Sequence, residues 1–167
     1  MKILIIGGVA AGTKVAAKLK RENRSDQVTI ITKEKNISYA GCGLPYYIEG
    51  MIEEKNSLLV NTPNSFSLLT EVEVLTEIEA TALDNEKKIV KAKNLKNNEE
   101  EIFSYDKLII ATGASPIMPN IPGINLPGVF KLRNPDDAEA IRNYANQIGI
   151  KDIVIAGASF IGLEVAD

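Results

Sequence analysis

The 167-residue chain is 45 % hydrophobic and 25 % charged, with a formal net charge of −3. This is the balance of an ordinary soluble globular chain, long enough to bury a sizeable core, and it argues against nucleic acid as a partner. Apolar runs are short and bounded by Gly or Lys, so neither a membrane span nor a signal peptide is expected, and a cytoplasmic location is the default.

Lys2 to Gly12 reads KILIIGGVAAG. A β-branched run of this kind suits a buried parallel strand, and the Gly turn and small residues after it open a helix. Such a unit presents backbone N–H groups and a helix N-terminus to a pyrophosphate. The GxGxxG template falls on Gly7, Val9 and Gly12, so its middle glycine is missing. Helical periodicity over Thr13–Asn23 and a second apolar strand over Val28–Thr32 complete a βαβ unit. The segment from Ser38 to Tyr47, SYAGCGLPYY, then carries the single cysteine, Cys42. A lone thiol closes no internal disulfide, so any redox cycle through it runs by a mixed disulfide, a persulfide or sulfenic acid. A short helix is predicted over Gly43–Ile48 with Pro45 in its first turn, and its start favours a thiolate at Cys42 whereas burial would oppose one.

Another short helix is predicted over Pro63–Leu69. Val72–Leu83, Lys87–Leu95 and Glu101–Phe103 read as antiparallel strands of a β-meander, with Asp84, Asn85, Asn97 and Asn98 in the turns. Lys107–Ala111 is a further apolar strand ending in Thr112, Gly113 and Ala114, and Pro116, Pro119, Pro122 and Pro127 then mark a domain boundary. Asp136–Gln147 is an amphipathic helix capped by Asn134 or Asp136. Asp152 to Gly162 reads DIVIAGASFIG, repeating the opening phrase 150 positions on with Gly157, Ser159 and Gly162 in the template positions. Two dinucleotides are implied. A βαβ unit needs about thirty residues, more than follow Asp152, so the chain reads as part of a longer protein. The expected fold is α/β: a Rossmann-like parallel sheet with an appended antiparallel meander over 1–113, a proline-rich linker and helix over 114–150, and the start of a second Rossmann-like unit over 151–167.

From end to end, these motifs and their order resemble the N-terminal part of the flavin-dependent pyridine nucleotide-disulfide oxidoreductases. The resemblance is to the single-cysteine branch that holds coenzyme A-disulfide reductases, NADH oxidases and NADH peroxidases. It rests on the loop Gly7–Gly12, the segment Ser38–Tyr47, the triplet Ala111, Thr112, Gly113, the segment Leu132, Arg133, Asn134, and the second loop with Glu164. The resemblance implies FAD held by Gly7, Gly8, Val9, Ala10, Ala11 and Gly12, and closed over by Ala111, Thr112 and Gly113. Where relatives use Glu for the adenosine ribose this chain has Thr32, followed by Lys33 and Glu34, so either a hydroxyl or Glu34 serves. NAD(P)H is implied at Gly157, Ser159, Gly162 and Glu164, and the sequence leaves NADH and NADPH open.

The resemblance makes Cys42 the redox residue. Lys14, Lys18 and Arg21 share one face of the first helix, and with Ser38 and Gly41 they are the implied contacts of a coenzyme A-like thiol or disulfide. Arg21 matches the reductases in type, whereas Lys14 and Lys18 stand where relatives are uncharged. Oxidases and peroxidases usually carry a histidine where this chain has Ala10, and the chain has no His at all. Cys42, Leu44, Pro45 and Tyr46 match the reductase pattern, while Gly41 replaces its usual Asn and Gly43 is similar to the oxidases. The expected activity is therefore NAD(P)H-dependent reduction of coenzyme A disulfide or a related small disulfide or persulfide. The alternatives are an oxidase making water from oxygen through a sulfenic acid, and a non-enzymatic flavin- or nucleotide-binding redox sensor. No metal site is expected. Relatives complete the FAD domain with a later strand and act as homodimers, so these residues alone are expected to bind FAD weakly or not at all and not to turn over.

Overall fold

In a computed structural model, which describes residues 1–147 and 149–166, four parallel strands build the first unit's main sheet. They are β1 (Lys2–Ile6), β2 (Gln27–Thr32), β3 (Glu73–Thr76) and β7 (Lys107–Ile110), in the order β3-β2-β1-β7. The register sets Ile5 beside Ile30 and Ile109, and Leu4 beside Leu108. Both faces of this sheet are covered, which is why β1 reads as a continuous apolar run. On one face Ile3, Ile5, Val28 and Ile30 pack with Ala16 and Phe66, and on the other Leu4 and Ile31 pack with Ile78, Val90 and Ala92. Burying each such isoleucine stabilises the fold by about 1.5–3 kcal/mol.

Helix α1 (Ala10–Glu22) connects β1 to β2 and buries Gly12, Thr13, Ala16 and Lys20. Lys20 satisfies its buried ammonium by donating to the carbonyls of Arg24, at 2.7 Å, and Asp26, at 3.2 Å, closing the turn into β2. Helix α3 (Pro63–Thr70) starts where a Pro at its first position and a capping box of Thr62 and Ser65 dictate. The predicted strand Val72–Leu83 is two strands in two sheets. Glu77 has a left-handed φ of 61°, and this turn sends Glu73–Thr76 to the edge of the parallel sheet and Ile78–Asp84 (β4) into the antiparallel one. There β4, β5 (Ile89–Asn94) and β6 (Glu100–Ser104) run in sequence order. The Lys87 backbone N–H donates to Asp84 in the hairpin between β4 and β5.

Ala40–Leu59 groups with the residues from Ala114 onward as a second unit, its segments joined through the first. A 3-10 turn at Gly41–Gly43 runs into α2 (Leu44–Glu49), which starts one residue later than predicted and ends at Gly50 with a φ of 102°. A second 3-10 turn spans Lys55–Leu58. Helix α4 (Pro135–Ala145) is capped by Asn134, whose side chain accepts from the Asp137 N–H at 2.9 Å. Asp136 is inside the helix and pairs with Lys55 instead. Leu44, Tyr47, Leu58 and Ala138 form the buried core of this unit, with Ile48, Ile52 and Leu132 around it. The strand predicted from Asp152 pairs with no other strand among the described residues: Ile153 and Val154 are exposed, and α5 (Phe160–Ala166) follows directly. A lone strand has no ladder to satisfy its backbone, so its apolar pattern does not by itself make one. Asp167 lies outside the described residues.

Candidate functional site

The first glycine turn sits at the carboxyl ends of β1, β2 and β7, where open α/β sheets bind ligands. Gly7 has a φ of 115°, and a Cβ there would lie 2.1 Å from the Ala111 carbonyl oxygen. A Cβ on Gly12 would lie 1.8 Å from the Gly7 carbonyl oxygen. Both positions therefore admit glycine only, whereas the template's middle position takes Val9 with a φ of −99°. No side chain caps α1 at Val9, and the Thr13 hydroxyl turns back to the Val9 carbonyl. Ala10 and Ala11 are exposed, and no side-chain cap accepts from the first N–H groups of α1. This arrangement fits the pyrophosphate of a dinucleotide.

Thr32, Ser38 and Ala111 gather at the same strand ends. Thr32 is buried, and its hydroxyl accepts the Glu34 N–H at 3.4 Å while its methyl lies against Gly8. The Thr32 oxygen is thus already engaged in its own turn. Lys33 faces Glu79 at 3.8 Å. Ser38 adopts a left-handed φ of 49° and is pinned on three sides. Its N–H donates to the Gly8 carbonyl at 2.9 Å, its carbonyl accepts from Val60 at 2.9 Å, and its hydroxyl accepts from the Asn61 amide at 3.4 Å. A strained non-glycine residue held this firmly is the kind of feature that collects at binding sites. Asn61 was not foreseen, and no local pattern marks it: it shows only once Ser38 has a position. Ala111 donates to Ile6 at 2.8 Å, while Thr112 and Gly113 leave the strand exposed, Gly113 with a φ of 67°. On the outer face of α1, Lys14, Lys18 and Arg21 are all exposed, as their spacing predicts, and Lys18 shares its charge with Glu22 at 3.6 Å.

In the second unit, Cys42 is exposed in the middle of the 3-10 turn, which the Gly43 N–H closes by donating to the Ala40 carbonyl at 3.0 Å. The two flanking glycines differ. A Cβ on Gly41 would meet nothing within 4 Å, whereas one on Gly43 would lie 2.9 Å from Leu58 and 3.3 Å from Ile52. A side chain at Gly43 would thus need the ends of Leu58 and Ile52 to shift, whereas Gly41 leaves space beside the thiol. Lys55 fastens this region from below, with Asp136 at 2.5 Å and Glu139 at 2.8 Å. Its partial burial alone would lower the pKa, but the hydrogen bonds it donates to both carboxylates and their charges outweigh that and hold it above the ordinary amine value.

The second glycine turn repeats the first in detail. Gly157 has a φ of 124°, and a Cβ on Gly162 would lie 2.1 Å from the Gly157 carbonyl oxygen. The Leu163 N–H donates to Ser159 at 3.0 Å, and Ser159 and Glu164 are exposed. No helix among the described residues is long and apolar enough to cross a membrane.

Residues 1–167 match the family described as pyridine nucleotide-disulphide oxidoreductase. The chain is 38 % identical over 166 residues to an NADH oxidase of Methanocaldococcus jannaschii, covering 99 % of this chain and 37 % of that protein. It is 34 % identical over 166 residues to a coenzyme A disulfide reductase of Staphylococcus haemolyticus, with the same coverage of both. Among solved structures, an NAD-dependent persulfide reductase from A. fulgidus superposes with a TM-score of 0.94 at 38 % identity, over 99 % of this chain and 31 % of that one. The chain thus spans little more than a third of these curated relatives, one named an NADH oxidase and the other a coenzyme A disulfide reductase.

Proposed function

We propose, since the chain belongs to the pyridine nucleotide-disulphide oxidoreductase family, that it is the FAD- and thiol-bearing part of an NAD(P)H-dependent enzyme. Its substrate is coenzyme A disulfide or a related small disulfide or persulfide. The observation that carries this reading is the single thiol, exposed on a glycine-flanked turn with open space at Gly41, in a chain that has no histidine and places Ala10 in its first loop.

Residues 1–113 form the first segment of the FAD domain, 114–150 a linker and helix, and 151–167 the start of the NAD(P)H domain. Gly7 to Gly12 hold the FAD pyrophosphate through the uncapped N–H groups of α1. The Thr32 hydroxyl, which accepts the Glu34 N–H and keeps its own proton to donate, or the carboxylate of Glu34 meets the adenosine ribose. Ala111, Thr112 and Gly113 cover the flavin, and Gly157, Ser159, Gly162 and Glu164 receive the nicotinamide dinucleotide. Bound FAD supplies the passage of an electron pair from NAD(P)H to sulfur.

Cys42 attacks one sulfur of the substrate disulfide as a thiolate, forming a mixed disulfide and expelling one thiol. Two electrons from NAD(P)H then cleave the mixed disulfide, releasing the second thiol and restoring Cys42. The balance is one disulfide, one NAD(P)H and one proton consumed, with two thiols and NAD(P)⁺ formed. Lys14, Lys18 and Arg21 neutralise the substrate's phosphates, and Ser38 offers its fixed hydroxyl. Three cations on that face suit a more anionic thiol than relatives with one. The second reading is an oxidase that takes Cys42 through sulfenic acid, favoured by the 38 % identity to an NADH oxidase. Intact mass of the purified parent protein under non-reducing conditions separates them, with Cys42→Ser as the control. A coenzyme A-sized adduct removed by thiol and missing in the variant supports the reductase. An oxygen adduct, or a bare thiol that never takes up coenzyme A, overturns it.

A further inference from the structure

We infer that Arg142, on α4, is a positioning residue for the Cys42 turn. The inference rests on the reading of Cys42 as the working thiol. Cys42 lies at one end of the short helix α2, and Arg142 grips the other end. Its guanidinium carbon stacks 4.6 Å from the centre of the Tyr47 ring. Its Nη1 donates to two carbonyls of the chain leaving α2, those of Ile52 at 3.1 Å and Glu53 at 2.9 Å. Only a planar, multi-donor cation stacks on a ring and bridges two carbonyls at once, so lysine is not an equivalent. Asp136, Glu139 and Arg142 follow one another at three-residue steps along one face of α4, and the first two hold Lys55. The stretch from Tyr47 to Lys55 is therefore clamped by a single helix face distant in the chain, its hydrogen bonds spanning 81 to 90 positions.

The apolar contacts transmit that clamp to the thiol. Leu44 and Tyr47, on the inner side of α2, pack with Ala138 of α4 and with Leu58. Gly43 sits so close to Leu58 and Ile52 that a methyl group there would press on the ends of both side chains. The backbone carrying Cys42 thus packs closely on the core, while the thiol itself is exposed. Arg142 touches no reacting atom; it sets where the thiol stands.

The test compares wild type, Arg142→Met, Arg142→Lys and, as a control, the exposed Lys131→Met. In this chain, amide hydrogen exchange over residues 44–53 should quicken about ten-fold in Arg142→Met, with exchange in β1 and β2 unchanged. In the flavin-loaded parent, kcat for disulfide reduction should fall about ten-fold, with the KM for the disulfide within about two-fold. Arg142→Lys should restore less than half of each loss, and Lys131→Met should move neither. Unchanged exchange over 44–53, an equal acceleration throughout the chain, or kcat unaltered in Arg142→Met overturns the inference. If wild type reduces no disulfide, the proposed activity falls, and the exchange pattern still decides the clamp.

Discussion

The same strand-turn-helix phrase occurs twice in this chain, and its two copies have the same turn and different strands. At Gly7 and Gly157 the backbone enters the left-handed region, and at Gly12 and Gly162 a Cβ would strike the carbonyl of the first glycine. In the first copy the strand before the turn is paired on both sides and its Ile3 and Ile5 are buried; in the second it pairs with nothing among the described residues. The turn is local chemistry, set by where glycine alone fits. The strand is a tertiary property, since its hydrogen bonds and burial come from other segments.

Substitutions at matched positions test that division. Gly12→Val should cost about 3 kcal/mol or more in chemical unfolding, because the first turn cannot open without parting α1 from the sheet. Gly162→Val meets the same local collision yet should shift the transition by no more than about 0.5 kcal/mol. Equal losses would mean that the second copy is as firmly built in as the first. Next in size, Ile5→Ala should cost about 2–5 kcal/mol, whereas Ile155→Ala, at a position 37 % exposed, should stay within about 0.5 kcal/mol.

The helix starts extend the comparison. Helix α4 begins with a capping box on Asn134, and α1 with no side-chain cap at all. Asn134→Ala should cost about 1 kcal/mol, measured by thermal or urea unfolding. A loss near zero would remove the contrast between a helix start sealed by its own sequence and one left open for a ligand. Smallest is the Lys55 contribution. Its folded pKa is raised above 10.5, so the stabilisation is fully present below that value and is lost as pH rises through the higher folded pKa. Wild type should lose under about 1 kcal/mol over that window relative to Lys55→Met. A difference that grows with pH instead would reverse the sign argued for the cluster.

What could be read ahead of the structure follows the same line. The glycine turns, the βαβ unit, the start of α3 at Pro63 and the exposed face of Lys14, Lys18 and Arg21 are local, carried by periodicity, caps and residues with few conformations. The split at Glu77 was not legible, because one left-handed residue inside a β-rich run leaves the apolar pattern intact while sending its two halves to different sheets. Nor were Asn61 and Arg142, whose roles come from groups distant in sequence. The choice between Asn134 and Asp136 as cap was left open by the residues and decided by geometry: Asp136 is drawn to Lys55.

The central claim is that Cys42 carries electrons to a small disulfide. The most direct measurement is the product stoichiometry of the flavin-loaded parent with coenzyme A disulfide, without oxygen and then with it, beside Cys42→Ser. The account predicts two thiols released per NAD(P)H consumed without oxygen, and no thiol release by Cys42→Ser. NAD(P)H consumption that requires oxygen, releases no thiol and forms water would contradict it and assign the thiol to oxygen reduction.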